Sequence, residues 1–259
     1  MCLIVFAWRS HPDYRLVLAA NRDEFHARPS QELHFWPDNP DVLAGRDLQA
    51  GGTWLAAHRG GRFATVTNYR EQQKSGGKLK SRGALVTDFV TSDDSADTFS
   101  AAIDAQKYAG FSLLTADRDD LYYVSNRGDP PRRLEAGIYG LSNASLDTPW
   151  PKVERSRAAL GQLLDSNSIS ETTLYRLMSD RTCASVSDVN SDHLPFQLAR
   201  ALTAPFIVTP DYGTRCSTVM LWSNDGNVVL SERRFNAAGN ASGDSSFSFA
   251  AGSPQSAAP

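Results

Sequence analysis

A chain of 259 residues, 41% hydrophobic and 21% charged, carries enough apolar material for a substantial core, which excludes wholesale disorder. Its formal net charge of −3 lacks the basic excess of a dedicated nucleic-acid binder. Three scattered cysteines (Cys2, Cys183 and Cys216) are too few for a disulfide framework or a four-ligand zinc site, and they suit a reducing compartment.

The apolar run Cys2 to Trp8 has no basic region before it and no small-residue cleavage site after it, so it does not read as a secretory signal. No stretch reaches the ~18–20 apolar residues of a membrane span. The expectation is a soluble, cytoplasmic protein with no stable membrane insertion. The run is too short for a helix and apolar throughout, which predicts a strand covered on both faces. Arg15 to Ala20 is a second such run, and His11-Pro12-Asp13 is turn chemistry between them, so the two pair as a hairpin. Arg28 to Leu48 holds several prolines and no clean period and reads as an excursion of loops. Thr53 to His58 and Arg62 to Thr67 flank Gly60-Gly61 as a second hairpin.

Beyond the polar loop Arg70 to Lys80, Ser81 is placed to cap a helix whose apolar face is Leu85, Val86, Phe89 and Val90. Phe99, Ala102 and Ile103 mark another helix. Phe111 to Ala116, Leu121 to Ser125 and Ile138 to Leu141 read as strands. Pro151 suits a first helical turn, with Val153, Leu160, Leu163 and Leu164 as the stripe behind it. A short helix follows near Thr173 to Met178. Thr214 to Trp222 and Val228 to Phe235 close the pattern as a hairpin around Asn224-Asp225-Gly226. From Ala237 the composition is Ala, Gly, Ser, Asn and Pro with two Phe. The domain reading is therefore one domain over residues 1–236 and a disordered low-complexity tail over 237–259. Double-faced strands with paired helices predict four layers: helices, sheet, sheet, helices.

Cys2 leads directly into a buried strand. Removal of the initiator Met would give an N-terminal cysteine whose α-amine, with an ordinary pKa of about 7.7–8.0, can take the thiol proton without a histidine. Asn21-Arg22-Asp23-Glu24 ends the second strand, and the antiparallel hairpin brings Asp23 beside Cys2. Asn68, Asn143 and Arg215 likewise sit at strand ends. Asn amides can donate to an oxyanion, and Arg can fix a carboxylate or lower a thiol pKa. Trp54 joins Phe25, Phe35 and Trp36 around the presumed cleft. Lys74, Lys78, Lys80 and Arg82 form a basic cluster able to receive an anionic group. The five histidines lack metal-ligand spacing, so no metal site is expected. Cys-x-x-Cys-His is absent, which excludes covalent haem attachment.

Met1-Cys2-Leu3-Ile4, the tetrad Asn21-Arg22-Asp23-Glu24, the run Ala50-Gly51-Gly52-Thr53-Trp54-Leu55 and the run from Tyr212 to Val219 together resemble the NRDE family, the family of transport and Golgi organisation protein 2. That family is similar in turn to N-terminal-nucleophile hydrolases of the choloylglycine hydrolase and penicillin V acylase type. The resemblance implies an α+β, four-layer αββα sandwich. It implies Cys2 as nucleophile and base donor, Asp23 as the residue that orients its amine, Asn68 and Asn143 near the oxyanion, and Arg215 close to the thiol. Asn21, Arg22, Trp54 and Tyr69 are the candidate substrate- or ligand-binding residues. The acylases usually carry Arg three residues before the Asp, where this chain has Ala20.

Two readings of function follow. One is a cysteine amidohydrolase acting on a small or lipid-like amide and requiring no cofactor. The other is a non-catalytic carrier of haem or an acyl lipid, as the family's link to intracellular haem trafficking and lipid homeostasis implies. Both expect a small-molecule, lipid-like or haem ligand, and both leave the oligomeric state open.

Overall fold

The computed structural model describes residues 2–71, 79–128, 130–189, 191 and 194–252. Lys74, Lys78 and His193 lie outside them. The strands are β1 Cys2–Trp8, β2 Tyr14–Phe25, β3 Ser30–Trp36, β4 Asn39–Asp47, β5 Leu55–His58, β6 Arg62–Asn68 and β7 Phe111–Ala116. They continue as β8 Leu121–Ser125, β9 Arg132–Arg133, β10 Gly137–Leu141, β11 Tyr212–Ser223, β12 Asn227–Phe235 and β13 Ala241–Ala250. The main helices are α1 Gly83–Thr91, α2 Ala96–Ala102, α3 Pro151–Asp165 and α4 Glu171–Met178. A six-stranded sheet runs β10-β1-β2-β11-β12-β13, and a seven-stranded sheet runs β3-β4-β5-β6-β7-β8-β9.

Alternation along the strands builds three apolar layers at once. Ile4, Phe6 and Trp8 of β1 face the core between the sheets, together with Leu16 and Leu18 of β2. Leu3, Val5 and Ala7 point the opposite way, with Val17 and Ala19, onto Val153 and Leu160 of α3 and Leu174 and Met178 of α4. The second sheet does the same: Leu55 and Phe63 face inward, while Ala64, Val66 and Leu113 meet Val86, Phe89 and Val90 of α1. Period-two alternation with both faces apolar is why these strands read as continuous hydrophobic runs. The result is an αββα sandwich, as the layer reading predicted. Among the described residues no helix is long and apolar enough to cross a membrane.

Three expectations need correction. Arg28 to Leu48 is not a loop excursion but the β3–β4 ribbon at the edge of the seven-stranded sheet, with register shifts near Gln31 and Trp36. Ser81 does not cap α1; Arg82 holds that position without a side-chain cap hydrogen bond. The supposed disordered tail contains β13, which pairs with β12 from Asn227↔Ala250 to Phe235↔Ala241. Ser-Ser-Phe-Ser-Phe alternates, so the Phe side chains share one face. Phe249 is buried in the intersheet core, Phe247 packs on it, and both rings stack edge-on against Phe35 of β3.

Truncation after Phe235 should therefore destabilise the fold. Loss of a buried Phe alone costs about 3 kcal/mol, which for a domain of this size is a fall in Tm of roughly 6–12 °C. Coincident melts of full-length and truncated chains would contradict this placement of β13.

Candidate active site

β1 lies between β10 and β2, with Cys2 directly opposite Arg22. The even-numbered positions of both strands face the space between the sheets, which puts Cys2 and Arg22 on the same side. There the sheets part into a cleft of about 530 Å³. Its far wall is the loop over Gly52-Thr53-Trp54 and the start of α1. A Cβ on Gly52 would lie 2.8 Å from the Gly83 backbone, and Gly51 has φ +79°. Two glycines are therefore needed where the loop turns and closes on α1.

Cys2 is half-buried. Its backbone N–H donates to Asn143 Oδ1 at 3.0 Å, and its carbonyl accepts from Ser142 Oγ at 2.6 Å. Asn143 Nδ2 donates to the Asn68 carbonyl at 2.8 Å. Asn143 thus ties β1 of one sheet to the end of β6 in the other. It stands behind Cys2, whereas Asn68 is exposed and lines the cleft.

Asp23 is buried and also borders the cleft. The Thr214 hydroxyl donates to Asp23 Oδ1 at 2.7 Å, and the Tyr212 hydroxyl donates to the Asp23 carbonyl at 2.8 Å. This depends on a bulge in β11. Thr214 pairs with Asp23 and Cys216 pairs with Arg22, leaving Arg215 as the extra residue. A bulge re-aims side chains locally, so Thr214 meets Asp23 while Cys216 stays on the cleft side. Arg215 lines the cleft and donates from Nη1 to the Phe25 and Arg28 carbonyls at 2.9 and 3.1 Å.

Burial pushes the Cys2 thiol above its ordinary range and Asp23 adds to the rise, while the Asp23 amide and Arg22 oppose it. Burial outweighs the lowering influences on this thiol, and the arginine that acts on it is Arg22, not Arg215. Cys216 is pushed well up, first by burial and then by Glu232, with which it shares a hydrogen bond. Burial lifts the Asp23 carboxyl to about 6, opposed by Lys152, the Thr214 hydroxyl and Arg22.

Charge dominates the cleft. Asp47 binds Arg28 at 2.7 Å and faces Arg22 at 3.9 Å. Arg46 pairs with Asp38 and Arg234 with Glu32. Lys80, Arg82 and Arg215 also line it and form no ion pair among the described residues.

Of the residues expected from sequence, Cys2, Arg22, Asp23, Trp54, Asn68 and Arg215 meet at this cleft. Two expected ligand-binding residues do not. Asn21 is wholly buried on the helix side; its Nδ2 donates to the Met178 and Pro205 carbonyls, both at 2.8 Å, and its Oδ1 accepts from Ser217. Asn21 is one residue out of phase with Arg22, so the pleat turns it away from ligand. Tyr69 lies past the end of β6, where its N–H binds the Gly110 carbonyl, and it does not line the cleft. Of the bracketing aromatics, Phe25 is exposed and Trp36 is buried under α1. Sequence reasoning missed Thr214, although it lies within the run quoted above. It also missed Lys152, a first-turn lysine that gives no signal of burial.

Two back-to-back sheets between helix layers are the fold shared by N-terminal-nucleophile hydrolases. A mutant of the conjugated bile acid hydrolase from Clostridium perfringens superposes with a TM-score of 0.53, over 95% of this chain and 96% of that one, at 8% identity. The chain belongs to the Transport and Golgi organisation 2 family, whose model matches residues 1–237. It is 36% identical over 264 residues to the human Transport and Golgi organization protein 2 homolog, covering 90% of this chain and 92% of that one. It is 30% identical over 178 residues to the Drosophila melanogaster protein, covering 61% and 62%.

A carboxyl raised by folding contributes stability that is fully present below its ordinary 3.8 and is lost as pH rises through about 6. Carboxyl-detected NMR titration should give Asp23 a midpoint near 6; a midpoint at 3.8 contradicts its burial in this environment.

Proposed function

We propose that the cleft is an amidohydrolase site that works once Met1 has been removed. The α-amine of Cys2 accepts the thiol proton, and the thiolate attacks the carbonyl carbon of an amide. The oxyanion forms within reach of Asn68, with the second Asn143 amide hydrogen behind it. On collapse the C–N bond breaks, and the departing nitrogen takes the proton back from the α-ammonium. Water then attacks the thioester, giving the carboxylic acid and restoring the thiol. Asp23 orients the α-ammonium throughout. The observation that carries this reading is the meeting of Cys2 and Asp23 at the mouth of one cleft, with Asp23 braced by Thr214.

The second reading is a carrier of haem or an acyl lipid. Lys80, Arg82 and Arg215 favour it, because cations that form no ion pair among the described residues suit propionates or another anionic head. Cys2→Ala separates the two. Against a panel of N-acyl amides, the variant should lose all amine release while still binding substrate; retained turnover overturns the hydrolase reading. In a haem titration followed by absorbance, Cys2→Ala should leave any affinity within about tenfold, or roughly 1.4 kcal/mol. Loss of a thiolate-type spectrum in that variant would make Cys2 an iron ligand instead.

A further inference from the structure

Lys152 occupies a position that local physics disfavours twice. It is the second residue of α3, where the positive end of the helix dipole repels a cation. It is also 2% exposed, beneath a first turn anchored by Pro151 and packed on β1 and β10. Its Nζ has no hydrogen-bond partner among the described residues. A buried ammonium without hydrogen bonds is among the costliest groups a fold can hold, and an apolar side chain of similar length would fill the same space more cheaply. The neighbouring first-turn acid, Glu154, is exposed and offers it nothing. The charged and titratable groups that act on Lys152 are Asp23 from β2, Cys2 from β1 and Arg70 beyond β6. Burial, the largest influence, pulls the Lys152 ammonium below its ordinary range; Asp23 and then Cys2 favour the charged form, and Arg70 the neutral one.

The helix side of the six-stranded sheet thus holds a carboxylate and an ammonium, both out of water and both at the Cys2 end of the hairpin. We infer that Lys152 is a positioning residue for this site: sealed behind the cleft, its ammonium keeps the Asp23 carboxylate ionised so that the carboxylate can hold the Cys2 amine. The last step rests on the hydrolase reading; the pairing of Lys152 with Asp23 does not. Lys152 touches neither the cleft nor a ligand and acts only through Asp23. Its influence on the carboxyl is downward, against the larger upward effect of burial.

The test is carboxyl-detected NMR titration of Asp23 in the full chain and in Lys152→Met. A nearby opposite charge lowers a carboxyl by about 1–3 units, so with the ammonium removed the Asp23 midpoint should rise by about one unit or more in the variant. A midpoint unchanged within about 0.3 unit, in a folded Lys152→Met protein, overturns the inference. If Lys152→Met does not fold, the neutral pair Asp23→Asn/Lys152→Met decides. Recovery of folding in the double variant supports the pairing, because removing both charges leaves neither one buried alone. Failure of both variants assigns Lys152 to packing and overturns it. The titration reads no turnover. A shifted Asp23 in a protein that cleaves no amide upholds the Lys152–Asp23 pair and removes only the hydrolase reading.

Discussion

The whole arrangement depends on β1 being covered on both faces and paired on both edges. Chain termini usually fray, because few contacts offset the entropy of ordering them. Here the first strand lies inside a six-stranded sheet, with Ile4, Phe6 and Trp8 in one apolar layer and Leu3, Val5 and Ala7 in another. Fully burying one such side chain is worth about 1.5–3 kcal/mol, so the strand is firmly held. Its register then fixes Cys2 opposite Arg22, and a slip of one residue would turn the thiol from the cleft into the helix layer.

Chemistry is divided between the two faces of the same sheet. Cys2, Arg22 and Cys216 face the cleft, while Asn21 and Ser217 bond to each other on the helix side. Asp23 reaches both environments: it borders the cleft and takes the Thr214 hydroxyl supplied by the β11 bulge. The tetrad Asn21-Arg22-Asp23-Glu24 is therefore a mixture of roles. Asn21 ties the sheet to the end of α4 and to Pro205, Arg22 lends charge to the cleft, and Glu24 lies 3.8 Å from Arg28.

What the sequence made legible was whatever rests on period-two alternation. Strands apolar on both faces, and the hairpins joining them, follow from residues such as Leu3 to Trp8 and Val17 to Ala20. The rest was hidden for identifiable reasons. β3 lies at a sheet edge, buries only Leu33 and Trp36 and is interrupted by register shifts, so its alternation is weak and the prolines around it dominate. In β13 low-complexity serine masked the Phe247/Phe249 pair. Arg215 was legible as a strand-end arginine, but the bulge that separates its direction from that of Thr214 leaves no mark in composition. Lys152 was invisible because a lysine in a first helical turn ordinarily faces water.

The central claim is that Cys2, freed at its amine, is the reacting group of the cleft. The most direct measurement is intact mass with N-terminal peptide mapping of protein isolated from its native cells and treated with an acylating β-lactone. The expected result is a chain that begins at Cys2 and carries a single acyl group on that residue, with Cys183 and Cys216 unmodified. Quantitative retention of Met1, or acylation spread over Cys183 while Cys2 stays bare, would contradict it.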